Sequence, residues 1–303
     1  MKFLFLIFFF FTFLCVDAQD WETPQVSNAG WEIDYSNSIN KKRRNILLIS
    51  EASIYTISLV GLNQLWYADY PRSSFHFIND NGEWLQLDKI GHAAVSYYTG
   101  VAGIKAYEWA GFSRKKSIWY GGMTGSVLLT VVEILDGTSK QWGASSGDLI
   151  ANTAGSLLAV GQALKWNEQR IQLKYSYSPT KWAEENPAQL GKNSLERVLK
   201  DYNGQTYWLT FNIKSLLNIT NENFPDWLSL ALGYGGDSMT EPYPNDDARV
   251  YRKYYFSFDV DLNRIKTKSK IINSLFHTFG FLKFPTPTFE FSNGKFSFYP
   301  IYY

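Results

Sequence analysis

The sequence predicts an α+β fold: an N-terminal up-and-down bundle of about four apolar helices, followed by a strand-rich, antiparallel C-terminal part. Three observations carry this reading. Apolar runs of roughly 20 residues recur as far as Trp166. Beyond it the hydrophobic period shortens to two, as a one-sided strand requires. Near the end, Asn293–Gly294 sits between two alternating runs, the strongest short-range signal for a hairpin.

The chain has 303 residues and opens with MKFLFLIFFFFTFLCVDAQ. A basic start, an apolar run and a small-residue end read as a secretory signal peptide over residues 1–18, cut before Gln19. The single cysteine, Cys15, follows Leu14, where lipid-modified cysteines follow a small residue. Its loss with the leader leaves no disulfide framework. Residues 19–45 are polar, end in Lys41–Arg44 (KKRR), and read as a flexible entry segment. A helical domain over 46–170 and a strand-rich region over 171–303 follow.

The first helix is NILLISEASIYTISLVGLNQLW, with one charge, Glu51. A second runs from Asp88 to Trp109. A third opens after Ser113–Lys116 and stops at Gly137, and ASSGDLIANTAGSLLAVGQALKW supplies the fourth. Each matches a membrane thickness yet carries polar groups, so the four either span or pack as a buried bundle beside a membrane. Among the strands, YWLTFNIK and YYFSFDVDLN alternate cleanly, and WLSLALGYGG does so more weakly. Between them RIKTKSKIINSLFHTFGFL places Lys266, Lys268 and Lys270 ahead of an apolar stripe. That helix either lies on a membrane surface or packs on the sheet. Outward aromatics suit membrane-barrel strands, but four to six candidates fall short of the roughly eight that a closed barrel needs, so a small open sheet is expected.

Composition narrows the function. Lys+Arg minus Asp+Glu is 29 − 28 = +1, so no global field recruits nucleic acid. Aromatics make up 17% of the chain, which suits contact with membrane or sugar surfaces.

If the helices run up and down, the polar residues converge. Asp88 and His92 lie one above the other at the start of helix two. Glu133 and Asp136 lie at the end of helix three, and Asp148 and Asn152 at the start of helix four. These ends meet, with Lys89 among them and a loop carrying Lys140 and Trp142 above. The opposite end collects Lys41–Arg44 and Arg114–Lys116, whose position outside the cytoplasm argues against a conventional inner-membrane bundle. Each cluster residue also has a structural role open to it: Asp88 and the Ser145–Asp148 capping box can close helix starts. A chain with three histidines and no cysteine after its leader does not suggest a zinc site, and no metal is expected. No GxSxG, HExxH, phosphate loop or dinucleotide fingerprint occurs, so no cofactor is expected.

DKIGH at 88–92, the Glu133–Asp136 pair and GDLIANTAG resemble, in that order, the VanZ-like proteins and more closely the YfiM-like family of predicted periplasmic lipoproteins. Asp88, Lys89, His92, Glu133, Asp148 and Gly155 sit at its motif positions. The wording from FINDNGEWLQLDKIGH to DYNGQTYW is similar to a long form of that family from Gram-negative bacteria. The resemblance implies an envelope location and carries no activity over to this chain; the placement of the basic end suits a periplasmic or outer-membrane-associated position. Three functions stay open. One is a non-enzymatic scaffold with an unknown protein partner. Another is a binder of a membrane lipid or envelope glycolipid headgroup through Lys89 and Lys140. The third is an envelope-lipid-modifying enzyme using His92 with Glu133 or Asp148 as an acid–base site.

Overall fold

The computed structural model describes residues 40–67, 70–243 and 249–302. The signal peptide and residues 19–39 of the polar segment lie outside them. The fold is α+β, with helices first and a six-stranded antiparallel sheet behind.

Helix α1 spans Lys41–Leu62 and continues as a π turn over Asn63–Tyr67. It begins inside the segment read as flexible. Asn40 adopts an extended backbone and its side chain accepts a hydrogen bond from the Arg43 N–H at 3.0 Å, so KKRR forms the first turn. Helix α2 spans Leu87–Trp109. Helix α3 runs from Arg114 to Gly137, with a π turn at Ser117–Gly121. Helix α4 spans Ser146–Trp166 and starts at the predicted cap, where the Asp148 N–H donates to Ser145 Oγ at 3.1 Å. Among the described residues α3 is the helix long and apolar enough to cross a membrane. Over half of its most apolar window is buried inside the fold.

Helices α2, α3 and α4 pack through small residues. A methyl group on Gly155 would run into the Ala93 carbonyl, and one on Gly125 into the Ser96 carbonyl. Backbones therefore approach closely, and the apolar cluster of Tyr97, Ile104, Ile118, Ala159 and Val160 fills the space around them. The single acidic residue of α1, Glu51, accepts from Tyr55 and from Tyr107 of α2 at 3.2 and 3.1 Å. At the same end Arg43 reaches the Trp109 carbonyl and Arg114 pairs with Glu108.

Two short strands, β1 (Phe77–Ile78) and β2 (Ala144–Ser145), pair in parallel beside the helix ends. The sheet runs in chain order: β3 (Ile171–Tyr177), β4 (Gln205–Asn212), β5 (Leu228–Asp237), β6 (Tyr251–Val260), β7 (Thr286–Ser292) and β8 (Lys295–Tyr302). Asn293 and Gly294 both take positive φ, 47° and 73°, in the turn between β7 and β8, as that dipeptide predicts. The helix α5, Lys270–Phe279, is shorter than its sequence pattern, starting where the Ser269 side chain caps it.

The sheet is polar where it is buried. Lys174, Trp208, Gly233, Tyr255 and Glu290 occupy one row across five strands. All point to the enclosed face. Gly233 is small because the Trp208 indole fills the space a Cβ would take. On that face Lys174 Nζ lies 2.6 Å from Asp259 Oδ2, and neither side chain is exposed at all. The sheet curls far enough for the Tyr302 hydroxyl to meet Thr206 and Tyr255 at 3.1 and 2.9 Å. On the other face β3 and β4 lie against α2, through Tyr175, Tyr207 and Ala94. The same face of β5–β8 is covered at its Tyr234 and Arg252 end by the Leu85–Gln86 turn and is otherwise open among the described residues.

Candidate functional site

The predicted polar residues come together at the start of α2. What delivers them is a left-handed turn: Trp84, Leu85 and Gln86 all have positive φ, 47°, 52° and 67°. Such a run is costly for residues with side chains and is held from several sides. Tyr234 of β5 donates to the Leu85 carbonyl at 2.7 Å, Arg252 of β6 donates to Gln86 Oε1 at 2.9 Å, and Trp84 stacks on Tyr202. The turn leaves Gln86, not Asp88, at the N-cap, with no side-chain capping bond. Asp88 is thereby released from capping and points into the cluster.

Lys89 is the centre of charge. Its Nζ lies 2.6 Å from Asp80, 3.0 Å from Asp148 and 3.8 Å from Asp88. These carboxylates hold the ammonium form well above the ordinary lysine range, against the opposing pull of burial. His92 is only 3% exposed. Its Nδ1 meets Asn152 Oδ1 at 2.9 Å, and its Nε2 faces Asp148 and Asp88 at 3.7 and 3.9 Å. Burial pushes its pKa down to about 4, so the ring is neutral at pH 7. A layer beneath, Ser96 bonds the Asn152 carbonyl and Ser156, and Ser156 Oγ accepts from the Ser126 N–H.

Glu133 and Asp136 close the far side. Glu133 Oε2 accepts the Ser145 N–H at 2.9 Å, and Asp136 accepts from Tyr67 of the α1 extension at 2.8 Å. Burial raises Glu133 to about 8, with Asp148, Asp136 and Asp88 adding to the shift. Burial likewise raises Asp148 to about 7, with Asp88 and Asp80 adding and Lys89 opposing. Burial is the main reason that Glu133 and Asp148 resist ionisation, and the neighbouring carboxyl groups, five in the cluster against one ammonium, add to it.

Three residues belong here that helix-end reasoning does not reach. Asp80, after β1, accepts from Ser145 Oγ at 2.6 Å as well as pairing with Lys89. Tyr202, just before β4, donates to Asp88 Oδ1 at 2.6 Å. Tyr67 binds Asp136. Asp80 sits in FINDNG and Tyr202 in DYNGQTYW, the two ends of the family-like stretch, so both carry a signal; Tyr67 carries none. Lys140 is exposed and takes no part. Trp142 packs edge-on against Tyr67 and Tyr70.

One oxygen or nitrogen from each of Asp88, His92 and Asp148 falls within 4.8 Å of the others, a compass that suits a small cation. Lys89 already brings positive charge to the same two carboxylates. The donor set therefore meets its charge requirement from within the chain.

Residues 76–163 match the model of a family described as "Predicted periplasmic lipoprotein (DUF2279)". The matched stretch contains Asp80, Asp88, Lys89, His92, Glu133, Asp136, Asp148 and Asn152, while Tyr202 and the six-stranded sheet fall beyond it. No curated protein and no solved structure matches the chain.

Proposed function

We propose that this is an exported, non-enzymatic envelope protein whose polar cluster braces the helical part against the sheet. In this reading the four helices run up and down, so that the start of α2, the end of α3 and the start of α4 share one end. The observation that carries it is the engagement of Lys89 and His92 by side chains from separate segments. Asp80 comes from the β1 loop, Asp148 and Asn152 from α4, and Tyr202 reaches Asp88 from the segment that leads into β4. A lysine enclosed by three carboxylates has little attraction left for a phosphate, which weighs against headgroup capture at this point. The family description supports the envelope location.

The test is the thermal midpoint of His92→Ala against the unchanged protein in matched detergent. A large fall is expected, because Asn152 and the carboxylates around it lose their partner in a buried place. An unchanged or higher midpoint would overturn the brace and mark the cluster as a site kept at a cost to stability. One observation favours a second reading, acid–base chemistry on an envelope lipid: Glu133 and Asp148 are raised to about 8 and 7, near neutral pH. That reading requires lipid turnover that disappears in Glu133→Gln while the fold is retained.

A further inference from the structure

The outward face of β5–β8 is the largest feature the brace leaves unexplained. Leu232, Phe256, Phe289 and Phe298 form one row across the four strands. The three phenylalanines are 45%, 54% and 54% exposed. In an ordinary sheet packed on one side, such a row would face the core. Here the core face is already filled by Lys174, Asp259, Tyr255 and Glu290, so the outward rings are not a displaced core that refolding of a strand would recover. A one-residue slip of register would put the ion pair outside and the rings inside, yet the pairing holds the opposite arrangement along every strand.

We propose that this face docks on a lipid bilayer, seated on one side of it. Polar inside and apolar outside is the polarity of a strand whose solvent is lipid. Strands β5 and β6 are ten residues each, within the reach of about 9–11 residues that crosses a hydrocarbon layer. The sheet is open, with β3 and β8 at its two edges among the described residues. Edge N–H and C=O groups cannot be left in hydrocarbon, so the face enters the membrane without the sheet crossing it.

Charge selects the bilayer over a second copy of the chain. The outward positions of β5–β8 carry no Asp or Glu, and exposed Lys295 lies at the hairpin beside them. Helix α5 repeats the pattern: exposed Lys266 and Lys268 precede it, and its Ile271 and Phe279 are uncovered. Lysines fringing an apolar face meet phosphate groups at a membrane surface. In a two-fold dimer they would meet each other.

The test places an environment-sensitive fluorophore on single cysteines, in the full chain with Cys15 changed to serine. Phe256→Cys and Phe298→Cys report the face, and Lys192→Cys, on an exposed loop, is the control. With vesicles of phosphatidylcholine and phosphatidylglycerol, the two face labels are expected to shift to the blue. Nitroxide-labelled acyl chains are expected to quench them while leaving the control unchanged. The triple variant Phe256→Ser/Phe289→Ser/Phe298→Ser is expected to lose vesicle co-flotation by about tenfold, with its circular dichroism unchanged. Face labels that stay water-exposed with vesicles present would overturn the proposal. So would a blue shift without vesicles that tracks dimer formation, because a second copy would then cover the face. Should the triple variant misfold, the single-label quenching still decides.

Discussion

Around the helices the buried side chains are mainly apolar, with one polar cluster at a single end, whereas the sheet buries a polar face throughout and turns its rings outward. The two buried charge systems also differ in balance: the cluster is acidic, whereas on the enclosed face of the sheet Lys174 and Lys283 stand against Asp259 and Glu290. At the helix end Asp80, Asp88, Glu133, Asp136 and Asp148 outnumber Lys89, and Glu133 and Asp148 are pushed toward their neutral forms. In the sheet Lys174 and Lys283 share Asp259, at 2.6 and 3.8 Å. There burial, with Lys174 adding, lowers Lys283 to about 8. Buried charge therefore does different work in the two places. At the helix end it joins segments that are far apart in sequence; in the sheet it fills an interior that apolar residues have vacated.

The largest expected effect separates these roles. Lys89→Met removes the only ammonium among the described carboxylates of the cluster and should cost about 3–5 kcal/mol in urea unfolding. The loss should fall on the helix–sheet junction, seen as faster hydrogen exchange at both Asp80 and Tyr202. Full stability in Lys89→Met would mean that the cluster is not a brace. Lys174→Met should cost less, about 2 kcal/mol, since Lys283 remains to neutralise Asp259. If instead the sheet variant loses more than the helix variant, the comparison is reversed.

The helices were legible because their signals are local. Apolar periodicity, Gly137 and the Ser145 cap mark ends within a few residues of where they occur, and the helix ends so marked carry Asp88, His92, Glu133 and Asp148. Alternation likewise marks β4, β6 and the β7–β8 hairpin. Strand β3 escapes because Gln172, Lys174 and Ser176 occupy its enclosed face, where a sequence reader expects apolar residues. The left-handed turn at Trp84–Gln86 escapes too: none of the three is glycine, and the bonds holding it come from Tyr234 and Arg252, about 150 residues away or more. Tyr202 joins the cluster by the same long route. Pairings set by tertiary contact leave no trace in the spacing of either partner.

Titration gives a finer contrast. Glu133 rises from an ordinary 4.5 to about 8, so the folded state holds a proton that the unfolded state has released. Its contribution is present below pH 4.5 and is lost as pH rises through about 8. Lys283 is the reverse case, a base lowered from 10.5 to about 8, so that unfolding takes up a proton and stability rises with pH above 8. The melting temperature should fall by about 5 °C between pH 6 and 8, then level off or recover toward pH 9.5. Glu133→Gln should make the lower limb shallower, leaving the share of Asp148, which is raised to about 7, and Lys283→Met should flatten the upper one. A profile that neither variant alters would remove these two groups from the account.

The smallest expected effect is the most informative about the sheet. Phe256→Ser removes a large ring, and inside a core that change would cost several kcal/mol. On the outward face, with 45% of the residue exposed in water, it should cost below about 1 kcal/mol in detergent-free unfolding. Its polar-face neighbour Tyr255, which is buried and bonded to Tyr302, should lose more than that as Tyr255→Phe, because the part-buried Tyr302 hydroxyl loses this bond and keeps only Thr206 among the described residues. Equal losses would mean that the rings hold the sheet together in water. A near-zero loss for Phe256→Ser means instead that ten-residue strands keep their register through the polar row alone, and that the aromatic row answers to something outside the chain.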